Sequence, residues 1–249
     1  MPLLPSLVGT RVIGPPRTIT AHDRAAWRDL PLAGAIGLGL PALGALLVEP
    51  RMGISMMRLA VVAHRLEAFA GIDVAGVVQT VATLTATAPD ALGETFEVHL
   101  ETRDAGGVLL VDAAATILLR GPRRRDGVMT DTDAAPTASG TPIIVDIDTT
   151  QARAVALALG DHNPINVDED AAALAGLPGQ VLPHLGALAL AARRIAPETR
   201  RVQARFVRPA LVGDTLRISH WPIDDDIGFR VENQEGVVVI DAGRLGGTA

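Results

Sequence analysis

Two short segments concentrate the residue types that can move protons. One is Gly160-Asp161-His162-Asn163-Pro164-Ile165-Asn166-Val167-Asp168, and the other is Leu182-Pro183-His184-Leu185-Gly186. A carboxylate and an imidazole brought together by folding can share general acid and base work, while amides beside them orient water or a substrate hydroxyl. The inventory narrows the alternatives: there is no cysteine and no tyrosine, and all 22 Lys+Arg positions are arginine. Thiol nucleophiles, disulfides, thiolate metal sites and lysine Schiff bases are therefore excluded. Asp-His-Asn-Pro also reads as a plain turn, since Asp and Asn side chains cap backbone N–H groups and the residue before proline resists helix. A calcium loop would need glycine and glutamate where this chain has Asn166 and Ala172. No His-x-x-x-His spacing occurs, so no metal is expected.

The elements that must position these residues come in two copies. Leu40-Pro41-Ala42-Leu43-Gly44-Ala45-Leu46 recurs as Leu182-Pro183-His184-Leu185-Gly186-Ala187-Leu188, and the same offset of 142 pairs Arg58 with Arg200 and Gly71 with Gly213. Gly107-Val108-Leu109-Leu110-Val111-Asp112-Ala113 resembles Gly236-Val237-Val238-Val239-Ile240-Asp241-Ala242 at an offset of 129. Ile19 and Trp27 pair loosely with Ile147 and Val155 at an offset of 128, leaving the second copy 14 extra residues before its Leu-Pro. One duplicated module is the simple explanation. Each copy predicts a helical apolar stretch followed by strands, as in the alternation of Val202, Ala204 and Phe206 with Gln203 and Arg205. Helix first and antiparallel strands afterwards make an α+β module.

Composition sets the outer bounds. With 249 residues, 48% hydrophobic and 20% charged, the chain can bury a sizeable core. A net charge of −6 and few aromatics argue against nucleic acid as a partner. The uncharged runs Leu30 to Val48 and Ala171 to Ala192 contain proline, glycine or polar breaks, so they read as buried helices and their approaches rather than membrane spans. No membrane partner is expected, and without a visible secretory signal the default is a cytoplasmic protein.

The Gly160 to Asp168 segment resembles the Gly-Asp-x-Asn-Pro-(Ile/Leu)-His-x-Asp motif of the MaoC-like (R)-specific enoyl-thioester hydratase/dehydratase family. Val181-Leu182-Pro183-His184-Leu185 is similar to that family's (Ile/Leu)-x-His-Gly-(Met/Leu) helix start. Ala204-Arg205-Phe206-Val207-Arg208-Pro209-Ala210-Leu211-Val212-Gly213-Asp214-Thr215-Leu216 is similar to its Arg-Phe-x-x-Pro-x-x-x-Gly-Asp-x-Leu strand pair. The resemblance implies a tandem (double) hotdog fold, in which antiparallel sheets each wrap a central helix. The expected layout is a degenerate hotdog over 1–120, a linker over 121–142, and the site-bearing hotdog over 143–249.

It further implies that Asp161 is catalytic, in reversible hydration of an enoyl thioester. The family histidine is replaced by Asn166, which can orient water but cannot take its proton at neutral pH. His184 stands one step past the family's helix-start histidine, following Pro183 at the expected first helical position, and the positive helix end should keep its ring neutral. The expectation is that Asp161 and His184 share the acid/base work with Asn166 as positioner. His162, Asn163, Pro164, Leu185, Gly186 and Arg205 are the expected substrate-binding residues. No dissociable cofactor is expected, because the acyl group arrives on coenzyme A or phosphopantetheine. Arg193, Arg194, Arg200, Arg201, Arg205 and Arg208 would suit a coenzyme A phosphate, an acyl carrier protein, or simply solvent. Association into a homodimer, a cyclising reaction by internal hydroxyl addition, and a non-catalytic thioester-binding subunit stay open.

Overall fold

A computed structural model of the chain describes residues 5–55, 58–69, 76–121, 140–161, 163–174 and 176–246. His162 and residues 122–139 of the expected linker lie outside the described residues. The first half contains β1 (Arg11–Ile13), β2 (Arg17–Thr18), α1 (Ala21–Trp27), α2 (Pro31–Leu47), β3 (Leu59–Ala68), β4 (Val77–Asp90), β5 (Gly93–Asp104) and β6 (Leu109–Arg120). The second contains β7 (Ile143–Asp146), α3 (Thr149–Leu159), α4 (Glu169–Leu174), β8 (Val181–Leu182), α5 (His184–Ile195), β9 (Arg201–Phe206), β10 (Ala210–Leu211), β11 (Thr215–Ile223), β12 (Asp226–Glu232) and β13 (Val238–Gly246).

One sheet runs through both halves in the order β1-β4-β5-β6-β3-β9-β13-β12-β11-β7, with β2 also on β4 and a separate β8–β10 pair. The seam is the antiparallel pair β3–β9, registered from Ala63 opposite Arg205 to Glu67 opposite Arg201. The repeat read in the sequence is visible in these elements. β3 and β9 begin one residue after Arg58 and Arg200, and β6 and β13 begin at equivalent places in the two Gly-Val segments. Ile19, Ile147, Trp27 and Val155 are all buried.

The halves differ where the second copy has its extra residues. In the first, the helix begins at Pro31 and runs through Pro41. Pro41 lacks the N–H that would bond the Gly37 carbonyl, and the buried Thr80 hydroxyl donates to the neighbouring Leu38 carbonyl at 2.9 Å. In the second half the equivalent space holds a turn, α4 and β8. Pro183 is consequently the extended N-cap of α5 (φ −50°, ψ 134°), not its first helical residue, and His184 takes that place.

The uncharged sequence of α2 follows from its surroundings, because it is buried along most of its length against the sheet, α3 and α5. Glycine permits the closest approaches. A Cβ on Gly37 would lie 2.3 Å from the Leu159 carbonyl oxygen, and one on Gly186 would lie 2.2 Å from Val155 Cγ1. The Trp27 indole N–H donates to the Ala158 carbonyl at 2.9 Å, tying α1 to α3 across the halves. Among the described residues no helix is long and apolar enough to cross a membrane.

Candidate functional site

The first site residue is placed by the end of a helix. Asp148 caps α3 by accepting from the Gln151 N–H at 2.7 Å, and Gly160 ends it in the left-handed conformation (φ 65°). The next residue, Asp161, donates its N–H to the Ala156 carbonyl at 2.9 Å, so its backbone is fixed to the last turn. Its carboxylate then organises the adjoining turn. Oδ1 accepts the Asn163 N–H at 3.0 Å and Oδ2 accepts Asn166 Nδ2 at 2.9 Å. Pro164 opens a 3-10 turn over Pro164–Asn166, which places Asn166 almost wholly out of solvent at 3% exposure. The turn reading and the chemical reading thus describe the same atoms. Both carboxylate oxygens accept from neutral donors, and a carboxylate retains lone pairs for a water beyond those two bonds.

That turn packs against α3 and β8, and β8 leads through Pro183 into α5. The first N–H groups of α5 have no partner within the helix and point from its positive end, an arrangement suited to a carbonyl or oxyanion. His184 lies there with its ring stacked on Phe206 of β9, centroids 5.3 Å apart and planes 18° from parallel. Its Nε2 is enclosed and has no hydrogen-bond partner, although the residue as a whole is only partly covered. Burial pushes its pKa down to about 4, and the Arg120 guanidinium adds to the effect. The ring is neutral at pH 7 as expected, but desolvation is the leading cause rather than the helix end.

The structure gathers Asp161, Asn163, Pro164 and Asn166 into one hydrogen-bonded turn. It makes no hydrogen bond between His184 and either Asp161 or Asn166. Leu185 belongs to the hydrophobic core, and Gly186 is the contact point with Val155 of α3. Arg205 does not join the others. On β9 the buried residues are Val202, Ala204 and Phe206, so strand alternation sends Arg205 to the opposite face, where it pairs with Asp241 at 2.8 Å. The basic cluster is divided as well, with Arg201 on Asp226 at 2.8 Å and Arg193 on Asp29 at 3.3 Å. A cavity of about 270 Å³ at the β3–β9 seam touches His64, Arg65, Glu97, Gln203, Ala204 and Arg205 and none of the Asp161 turn. Among the described residues no group of His, Asp and Glu could hold a metal ion.

Motif reading assigned no role to His64, yet its side chain is completely buried and neither ring nitrogen has a partner. Burial, followed by the charge of Arg65, lowers its pKa to about 4. The one sequence signal is its phase with Leu66, which puts both on the covered face of β3 beyond a bulge between Val61 and Ala63.

Residues 134–243 match the MaoC like domain. The fold is similar to full-length peroxisomal multifunctional enzyme type 2 from Drosophila melanogaster, at 21% identity and a TM-score of 0.73. That match covers 95% of this chain and 48% of the other, so this chain spans about half the length of that enzyme. HtdX of Mycobacterium tuberculosis is similar at 16% identity and a TM-score of 0.72, covering 95% of this chain and 98% of that one. A conserved hypothetical protein of the same organism, described as a double hotdog fold, matches at 15% identity and a TM-score of 0.55, covering 96% and 95%. These likenesses establish the architecture as α+β, with two hotdogs in one chain.

Proposed function

With residues 134–243 belonging to the MaoC-like dehydratase family, we propose that the protein catalyses reversible hydration of 2-enoyl thioesters, or dehydration of the corresponding 3-hydroxyacyl thioesters. The observation that carries this reading is the Asp161 carboxylate, held by the Asn163 N–H and the Asn166 amide in a turn packed against α3 and β8, the strand that leads into α5. In the hydration direction Asp161 takes a proton from water, the hydroxyl adds to the β-carbon, and Asp161 gives the proton on to the α-carbon, which restores the carboxylate. Asn166 holds the carboxylate and the water in line. The free N–H groups of α5 accommodate the charge that develops on the thioester carbonyl. His184, neutral and with an unpartnered Nε2, is the group at the helix start that can donate to or accept from substrate. The acyl group would be carried on coenzyme A or on the phosphopantetheine arm of a carrier protein, in fatty-acid or polyketide-type metabolism, and the proposed reaction uses no further cofactor.

A second reading has one specific observation in its favour. The position of the family histidine is Asn166, whose amide donates to Asp161 and cannot serve as a base. The protein would then bind acyl thioesters without turnover, or catalyse addition of a hydroxyl already present on the substrate. Enoyl-thioester absorbance followed over time with short and medium 2-enoyl-coenzyme A separates these readings. Turnover that vanishes in Asp161→Asn supports the hydratase. Thioester binding without turnover in the unaltered protein selects the second reading.

A further inference from the structure

Gly160 ends α3 immediately before Asp161, and the first half of the chain covers its open side. A Cβ placed there would meet Arg17 Nη1 at 3.6 Å. Arg17 belongs to β2, which pairs with β4, and the proposed chemistry gives it no task. Its guanidinium is nevertheless firmly held. Nη2 donates to Asp23 Oδ1 at 2.6 Å, and the central carbon lies over the buried Trp27 ring, 5.6 Å from the centroid. Asp23 is fixed in turn, since its Oδ2 accepts from the Thr20 N–H at 2.8 Å and from the Thr20 hydroxyl at 2.6 Å in the capping box of α1. Trp27 carries the contacts onward, because its indole N–H donates to the Ala158 carbonyl in the last turn of α3. Arg17 and Trp27 together therefore touch the end of α3 at two points, Gly160 and Ala158.

Charge and backbone both give that placement a consequence. The carbonyl end of a helix is partially negative, and a cation beside it is stabilising. α3 has no basic residue in its own last turn, so Arg17 supplies a cation there from the other half. Gly160 must also stay in the left-handed conformation (φ 65°) for the Asp161 N–H to reach the Ala156 carbonyl. A glycine left uncovered samples many conformations, whereas one with a guanidinium packed against it has fewer to visit. We infer that Arg17 is a positioning residue: anchored by Asp23 and Trp27, it closes over Gly160 and sets the direction in which the Asp161 carboxylate leaves α3. The inference rests on the role given to Asp161 above, and it requires no contact between Arg17 and substrate.

The test compares, in the full chain, Arg17→Met, which keeps an unbranched side chain and loses the charge, with Arg17→Lys, which keeps the charge. On a 2-enoyl-coenzyme A, Arg17→Met should lower kcat about tenfold and leave KM within about twofold of the parent, as expected for a slightly misplaced reacting group. Arg17→Lys should recover part of that loss. Hydrogen exchange adds a readout that needs no turnover. The Gly160 and Asp161 N–H groups, which bond back into α3, should exchange about tenfold faster in Arg17→Met, with rates in β12 unchanged. An unaltered kcat beside an active parent overturns the inference, whatever happens to the melting temperature. A raised KM at constant kcat overturns it as well, since Arg17 would then be holding substrate. If the unaltered protein turns over no enoyl thioester, the hydratase reading falls by itself and exchange alone decides for Arg17: unchanged rates at Gly160 and Asp161 overturn its positioning role.

Discussion

Acidification should destabilise this protein through its two enclosed histidines before most carboxylates titrate. In the unfolded chain each ring has its ordinary pKa of 6.5, whereas in the folded chain His64 and His184 titrate at about 4. Between those values the unfolded state binds protons that the folded state refuses, so stability is complete above 6.5 and is lost as pH falls towards 4. From the size of the shift, the loss at about pH 4.5 is of the order of 2 kcal/mol for each ring. Asp23, held down to about 2 despite a burial cost, by hydrogen bonds from Thr20 and the Arg17 guanidinium, acts in the same direction but at lower pH. Urea unfolding at neutral pH and at about pH 4.5, run on the unaltered protein and on His64→Leu, isolates one ring's share. The variant should lose about 2 kcal/mol less than the parent across that interval. Equal losses would mean that the His64 ring is hydrated or paired in the folded protein, and the argument from its burial would be refuted.

Two further substitutions test the packing and the turn. Gly186→Ala forces a methyl group onto Val155 and should cost about 1–3 kcal/mol in thermal or chemical denaturation, whereas Gly44→Ala in α2, where a Cβ meets nothing within 4 Å, should be neutral or stabilising. Asn166→Ala removes the amide that donates to Asp161 Oδ2. It should reduce stability by about 1.5–3 kcal/mol, as for a hydrogen bond to a charged group, and lower kcat more than KM, which steady-state kinetics on a 2-enoyl thioester would report.

Much of the architecture was legible because the repeat carries physical information. Residues with matching burial demands recur at fixed offsets, so the starts of β3, β9, β6 and β13 could be aligned without coordinates. The Asp161 turn was legible for a similar reason, since Asp, Asn and Pro each have strong local backbone preferences. Features decided by long-range packing were not. The start of α2 at Pro31 depends on space that the second half fills with a turn and α4, and the repeat pointed instead to Pro41. Arg205 looked like a binding residue because it falls in the Arg-Phe-x-x-Pro motif and in a run of arginines, although strand alternation turns it away from the face that carries Phe206. His64 belongs to no motif. Only its phase with Leu66 placed it inward, and that phase says nothing of what its ring nitrogens would lack.

The contact between Gly37 and the Leu159 carbonyl also bears on how the Asp161 turn is held. Leu159 is the last residue of α3, two positions before Asp161, and the α2 backbone from the other half is pressed directly against it. Asp161 is thus braced from both halves of the chain rather than cantilevered from its own. A half that has no counterpart to the Asp161 segment still acts as the anvil for that segment, which keeps α2 under constraint. Substitutions that bulk up Gly37 would be felt as a misaligned carboxylate some distance away, without touching any group that reacts.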